Sequence, residues 1–285
     1  MRRQLKSGDV SRELLPGQSA ALLKELHLLT RDGDLNADSL RKLKQVNHLV
    51  RLLAPAVEDV LGRFGDPVIV DCGAGKGYLG FILHELFVGP AGKGSIIGIE
   101  SREELARAAG ERAGRLGHGR MRFLAAEVAT APVPERVHLV TALHACDTAT
   151  DDALLLAVRH QADHVAVVPC CQAEVARQLA ERAGADPAMA ELHRHPWHRR
   201  EFGSHLTNVI RALALEAAGY QVTVTELAGW EHSLKNELLL GRKVRRGSLQ
   251  ALRRLQALLA ATGVRPALVR GLEAAGVLAA GGAPA

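Results

Sequence analysis

Beyond Pro67 short apolar runs alternate with amphipathic segments of helical length. Seven runs read as strands: Val68–Val70, Ser95–Ile99, Met121–Ala125, Val137–Leu143, His164–Val168, Tyr220–Leu227 and Leu238–Val244. Tyr78–Phe87, Glu103–Leu116, Asp151–Gln161, Ala173–Ala183 and Leu206–Ala218 read as helices between them. Such alternation predicts βαβ units around a parallel sheet. The sixth and seventh runs are joined only by residues 228–237, too short for a parallel crossover carrying a full helix, so they should form an antiparallel hairpin. The expected fold is α/β, a doubly wound seven-stranded and mainly parallel sheet.

Helical segments flank this pattern. Residues 1–35 are polar and turn-rich around one amphipathic stretch, Ser19–Leu29. Asn36 then caps a helix that sets Leu40, Leu43, Val46, Leu49, Val50 and Leu53 on one face. Pro55 is expected to break or kink it, and Val57–Phe64 to continue it as far as Gly65-Asp66-Pro67. Two more amphipathic helices, Leu249–Ala261 and Arg265–Leu278, precede a Gly/Ala/Pro tail. The division this suggests is an N-terminal helical extension (1–65), a central domain (66–246) and a C-terminal extension (247–285).

Composition mainly excludes. With 285 residues, 47% hydrophobic and 24% charged, the chain falls among folded globular proteins rather than disordered or fibrous ones. No apolar run reaches the roughly 20 residues that span a bilayer, and no hydrophobic signal segment follows Met1, so a cytoplasmic protein without a membrane partner is expected. Four cysteines (Cys72, Cys146, Cys170, Cys171) in so long a chain make no disulfide framework. A net charge of +5 and a pI near 9.2 suit an anionic partner such as RNA, but with only 3% aromatics few side chains remain for base stacking. Oligomeric state leaves no mark on the sequence.

The first run leads into Asp71-Cys72-Gly73-Ala74-Gly75-Lys76-Gly77, with glycine at alternate positions between a strand and a helix. Missing side chains let a ligand approach the main chain. Two registers compete: Asp-x-Gly-x-Gly-x-Gly from Asp71 through Gly73, Gly75 and Gly77, and Gly-x-Gly-x-x-Gly from Gly75 to Gly80, the dinucleotide fingerprint. In that fingerprint the first glycine directly follows the strand, whereas Gly75 lies beyond it, which favours the first register. Glu100, at the end of the second strand, is placed to accept both hydroxyls of a ribose in either register.

With the hairpin, the run Asp71–Gly77 and Gly98-Ile99-Glu100 resemble the class I S-adenosylmethionine (SAM)-dependent methyltransferase superfamily. More narrowly, Asp71–Leu79, Leu143–Asp151, Pro169-Cys170-Cys171-Gln172 and Glu231–Asn236 resemble a methyltransferase-domain group that includes the methyltransferase-like protein 25 relatives, over roughly residues 38–245. Leu234 stands where other members carry proline. The resemblance implies SAM as cofactor, with Asp71, Gly73, Gly75 and Gly77 around its methionine end and Glu100 at its ribose. It implies no particular methyl acceptor.

Residues after the fourth and fifth strands of a doubly wound sheet face the ligand crevice. Here these are His144, Cys146 and Asp147, then Pro169, Cys170 and Cys171. In one reading His144, Asp147 and Cys170 form the catalytic side, with His144 or Asp147 taking a proton from an aligned acceptor. In a second, Cys146 and Cys170 act as covalent thiols on a pyrimidine ring. In a third, the cysteines and His144 gather zinc, although no Cys-x2-Cys spacing supports a metal site. In the last, small cysteines simply pack a tight sheet edge. Asp151 also reads as an ordinary acidic residue in the first turn of a helix. The stretch His193–His205, with three arginines, four histidines and two aromatics, suits phosphate and base contacts in a substrate lid or is a solvated loop.

The function expected is therefore methyl transfer from SAM to an acceptor, preferably ribosomal or transfer RNA. The alternatives are a non-catalytic SAM- or RNA-binding module and an NAD-dependent oxidoreductase.

Overall fold

Seven strands form, within two residues of each predicted bound: β1 (Val68–Cys72), β2 (Ser95–Glu100), β3 (Met121–Ala125), β4 (Leu139–Leu143), β5 (His164–Val168), β6 (Tyr220–Glu226) and β7 (Glu237–Lys243). They make one sheet in the order β3-β2-β1-β4-β5-β7-β6. The computed structural model describes residues 10–30, 32–143, 145, 147–169, 172–181, 187–227 and 237–278. Pairing from β3 through β5 is parallel throughout. β7 lies antiparallel between β5 and β6, so the predicted hairpin is present and its second strand is the inserted one. Strand order reverses between β1 and β4, which opens a crevice beyond their carboxyl ends.

Period-two alternation divides the strand residues between two cores. Ile69, Ile96, Leu139 and Ala166 pack on one face with α1 (Ala20–Glu25), α2 (Ala37–Arg63) and α3 (Tyr78–Leu83). Val70, Cys72, Val140 and Val165 pack on the other with α5 (Thr148–Arg159), α6 (Glu174–Glu181), α8 (Pro196–Ala217), α9 (Leu249–Thr262) and α10 (Ala267–Ala274). The helical segments before and after the sheet thus share its cores. Of the remaining helices, α4 (Glu103–Arg115) joins β2 to β3, and α7 (Pro187–His193) precedes α8.

Two expectations change. α2 runs unbroken from Ala37 to Arg63 through Pro55. Pro55 and Arg51 both lie on the exposed side of that helix, so the carbonyl deprived of its N–H donor faces water, where the loss is smallest. The His193–His205 stretch is no loop. It closes α7 and forms the first half of α8, with Pro196 at the opening position that proline favours. Among the described residues no helix is long and apolar enough to cross a membrane.

Candidate active site

The glycine loop turns sharply out of β1 because Gly73, Gly75 and Gly77 all adopt positive φ, at 65°, 57° and 77°. Two backbone hydrogen bonds fix it: Ala74 N donates to Ile99 O at 2.9 Å and Gly77 N to Ala74 O at 2.8 Å. The glycines then differ in what their bareness serves. A Cβ at Gly77 would lie 2.9 Å from the Phe81 ring and 3.1 Å from Phe123, and one at Gly98 in β2 would lie 2.5 Å from Phe123. These two positions make room for the aromatic rings that carry the loop from beneath. At Gly73 the nearest atom to such a Cβ is Ala145 Cβ at 3.6 Å, and at Gly75 it is Glu100 Oε2 at 4.0 Å, so these two leave main chain open toward the ends of β4 and β2.

Glu100 is 4% exposed and its carboxylate is fully engaged. Oε2 accepts from Gly75 N at 2.8 Å and from Arg102 Nη2 at 3.2 Å, while Oε1 accepts from Arg102 N at 3.1 Å and Nε at 2.7 Å. Burial pushes this carboxyl up, but the Arg102 bonds and the Gly75 amide outweigh burial and hold it below the ordinary glutamate value. The predicted ribose ligand is thus an ionised group joined directly to the loop. Arg102, which the sequence reading passed over, is its counter-ion, and the signal was an arginine just beyond a strand-ending acid.

Asp71 lies under the loop. Its Oδ1 accepts from Thr141 Oγ1 at 2.9 Å, the Gly80 backbone donates to it as well, and the residue is 3% exposed. Burial dominates here and pushes its carboxyl up to about 7 despite those two donors. Cys72, on the opposite face of the strand, is fully buried, and burial followed by the Asp71 and Asp152 charges drives its thiol well above the usual range. It is an inert packing thiol.

On the acceptor side, His144, Cys146, Cys170, Cys171 and the block Glu231–Asn236 lie outside the described residues. Asp147 does not. It caps α5 with φ 49° and ψ −118°, a strained backbone for a non-glycine residue. Its Oδ1 accepts from Ala173 N at 3.1 Å and its Oδ2 lies 3.6 Å from Arg177, so it ties the segment after β4 to the segment after β5. The structure therefore brings Gly75 to Glu100 and sets Ala145 against Gly73. Asp147 it turns toward α6.

A buried network beneath this side was not read from the sequence. Arg211, 1% exposed, donates through Nε to Asp151 Oδ1 at 2.6 Å, through Nη1 to Asn208 Oδ1 at 3.2 Å and through Nη2 to Asp147 O at 3.1 Å. Asn208 in turn accepts from Gln172 Nε2 and donates to Glu237 Oε2, each at 2.8 Å. Burial raises the Asp151 carboxyl, with Arg211 opposing it. Asp151 is thus the anchor of α8 as well as an acid in the first turn of α5. One signal was present: Asn208 and Arg211 interrupt an otherwise apolar stripe of α8 that includes Leu206, Ile210 and Leu213. Among the described residues no group of three or more His, Cys, Asp or Glu side chains is arranged to hold a metal.

No curated protein sequence matches the chain significantly. Among solved structures, an rRNA methylase from Streptococcus thermophilus is 12% identical, with 69% of this chain and 96% of that one covered and a TM-score of 0.46. A geranyl diphosphate methyltransferase in complex with SAM is 17% identical, with coverages of 85% and 98% and a TM-score of 0.47. The 23S rRNA methyltransferase ErmE is 14% identical, with coverages of 79% and 82% and a TM-score of 0.43. A sequence profile described as a methyltransferase domain matches residues 41–178, a span that holds the glycine loop, Glu100, Asp147 and the ends of β4 and β5. Just under half of the chain, residues 41–178, is therefore similar to that methyltransferase-domain family.

Proposed function

We propose that this protein transfers a methyl group from SAM to RNA, ribosomal or transfer, with the donor seated on the glycine loop. One observation carries the reading: the glycine loop, bare at Gly73 and Gly75, leaves β1 where strand order reverses and is tied through the Gly75 amide to a buried, ionised Glu100 at the end of β2. Bare backbone lets a ligand approach the main chain, and the carboxylate at the end of β2 takes two vicinal hydroxyls in place of the bonds it receives from the exposed Arg102 side chain. The second carboxyl, Asp71, lies beneath the same loop and favours a cationic ligand once ionised. These residues fit a positively charged adenosyl donor.

The donor supplies a methyl group already activated by the positive charge on its sulfur, so the chain's own task is alignment and proton handling. Gly73, Gly75 and Gly77 shape the cradle, Asp71 sets its charge and Glu100 grips the sugar. We assign His144 to the proton of the acceptor atom and Cys170 to the same side because it follows β5, while Asp147, turned to Ala173 and Arg177, serves to position the segment after β5. The net charge of +5 and Arg177, Arg199 and Arg200 support an anionic acceptor. Incubation with tritiated SAM and separated RNA, protein and metabolite fractions, with Glu100→Ala as control, tests this reading. Label should enter RNA with the wild-type chain alone. Label entering protein or metabolites and not RNA overturns the acceptor.

A further inference from the structure

We infer that the cleft between α6 and the start of α8 is the track on which single-stranded RNA lies as it enters the acceptor side. This deepens the RNA reading above and rests on it. The cleft has a volume of about 380 Å³ and an apolar floor that includes Ala176, Ala180 and Pro196, with Arg177, Arg199 and Arg200 along it. Its inner end is Gln172, the first described residue beyond β5 other than Pro169. Gln172 is immobilised there by Ser204 and Asn208, both on α8. A strand in this cleft is thus delivered to the carboxyl end of β5, beside the crevice.

The chemistry along the cleft is that of a phosphate backbone with bases. The Arg199 guanidinium has no hydrogen-bonding or ionic partner among the described residues. Among the described residues the exposed Arg177 and Arg200 guanidinium groups each meet one half-buried acid, Asp147 at 3.6 Å and Glu201 at 3.3 Å. Surface pairs of that kind are weak enough for a phosphate to displace. Beside the cleft rather than in its lining, Trp197 is 57% exposed, and the guanidinium of the cleft-lining Arg200 lies over its ring at 4.4 Å. An indole so exposed on a helix flanked by arginines is a stacking platform of the kind that binds unpaired bases. Duplex RNA would leave that platform without a partner, since its bases are already stacked. Arg194 and Glu191, 3.5 Å apart on the neighbouring turn, extend the charged surface with both signs.

The test is fluorescence anisotropy of a labelled mixed-sequence single-stranded RNA 20-mer on the full chain, titrated across NaCl concentrations. Wild type is compared with R199E/R200E, the milder R199A/R200A and W197A, and each variant is checked for SAM binding by calorimetry. Both arginine variants should bind RNA at least tenfold more weakly, with a log–log salt slope lower by about 1.4, that is about 0.7 for each lost phosphate contact. W197A should bind about tenfold more weakly with its slope unchanged. SAM binding should remain at the wild-type level in all of them. If wild type binds RNA and the arginine variants match its affinity and slope, the track is elsewhere and the RNA acceptor still stands. If wild type binds no RNA at low salt while it methylates another fraction, the acceptor reading falls and the track with it. If polyglutamate competes as well as unlabelled RNA and W197A is silent, the cleft takes an acidic protein, which overturns the inference.

Discussion

The Gly75 amide nitrogen lies 2.8 Å from Glu100 Oε2, so the tip of the glycine loop hangs on the carboxylate that ends β2. One side chain therefore shapes the cradle and, in the proposed role, grips the ligand. Glu100→Ala should weaken SAM binding at least 100-fold by calorimetry. Loss of the acceptor for Gly75 and Arg102 should also destabilise the fold by about 1–3 kcal/mol in urea titration. Glu100→Gln keeps an oxygen for Gly75 and should fall between the two. An alanine variant that binds SAM like wild type would contradict the assignment.

Asp71 makes stability and binding respond oppositely to pH. Its carboxyl titrates near 3.8 when unfolded and at about 7 when buried, so the stability it contributes is complete below about pH 4 and is lost as pH rises through 7. Asp71→Asn should be more stable than wild type by about 2–4 kcal/mol at pH 8, with the gain vanishing near pH 4. A cationic ligand favours the ionised form, so wild-type affinity for SAM should fall about tenfold from pH 8 to pH 6. The asparagine variant should bind more weakly at pH 8 and show no such slope. Calorimetry at the two pH values decides it, and parallel pH profiles for both proteins would remove Asp71 from the cradle.

Gly98 and Gly77 hold open the space that Phe123 fills. Gly98→Ala sets a methyl group 2.5 Å from the Phe123 ring and should destabilise the protein by about 1–3 kcal/mol. Combining it with Phe123→Leu should recover part of that loss, a coupling that a double-mutant cycle reads directly. Additive losses would show that the ring is not what the glycine accommodates.

Arg211 and Asp151 form a buried pair, and removing one partner strands the other. Arg211→Met should cost about 3–5 kcal/mol, whereas Arg211→Met with Asp151→Leu should restore much of it. Without its guanidinium the Asp151 carboxyl, already raised by burial, rises further. The penalty should therefore grow as pH increases, because the unfolded chain ionises this group before the folded one does. Urea midpoints at pH 5 and pH 8 test both the size and the sign.

Period and spacing carried most of the fold: the seven strands, the hairpin linker and the glycine loop are all local patterns. What escaped is non-local or solvent-facing. The first half of α8 has no apolar stripe to betray it, since Arg194 to His198 and Arg200 are exposed, and Pro196 and Gly203 imitate loop punctuation. Gly203 is there because Ala176 of α6 comes within 2.9 Å of where its Cβ would be. Asp151 meets Arg211 across 60 residues of sequence, a distance at which an acid near a helix start looks only like a capping charge. The distinct duties of the loop glycines also depend on Phe123, which arrives from β3.

The most direct test of the central claim is calorimetric titration of the full chain with SAM, its demethylated product S-adenosylhomocysteine and NAD, repeated on Glu100→Ala. The account predicts that SAM and its product bind the wild-type chain at one site, that NAD does not bind, and that the substitution abolishes the heat of both adenosyl ligands. Binding of NAD with no response to SAM would contradict it.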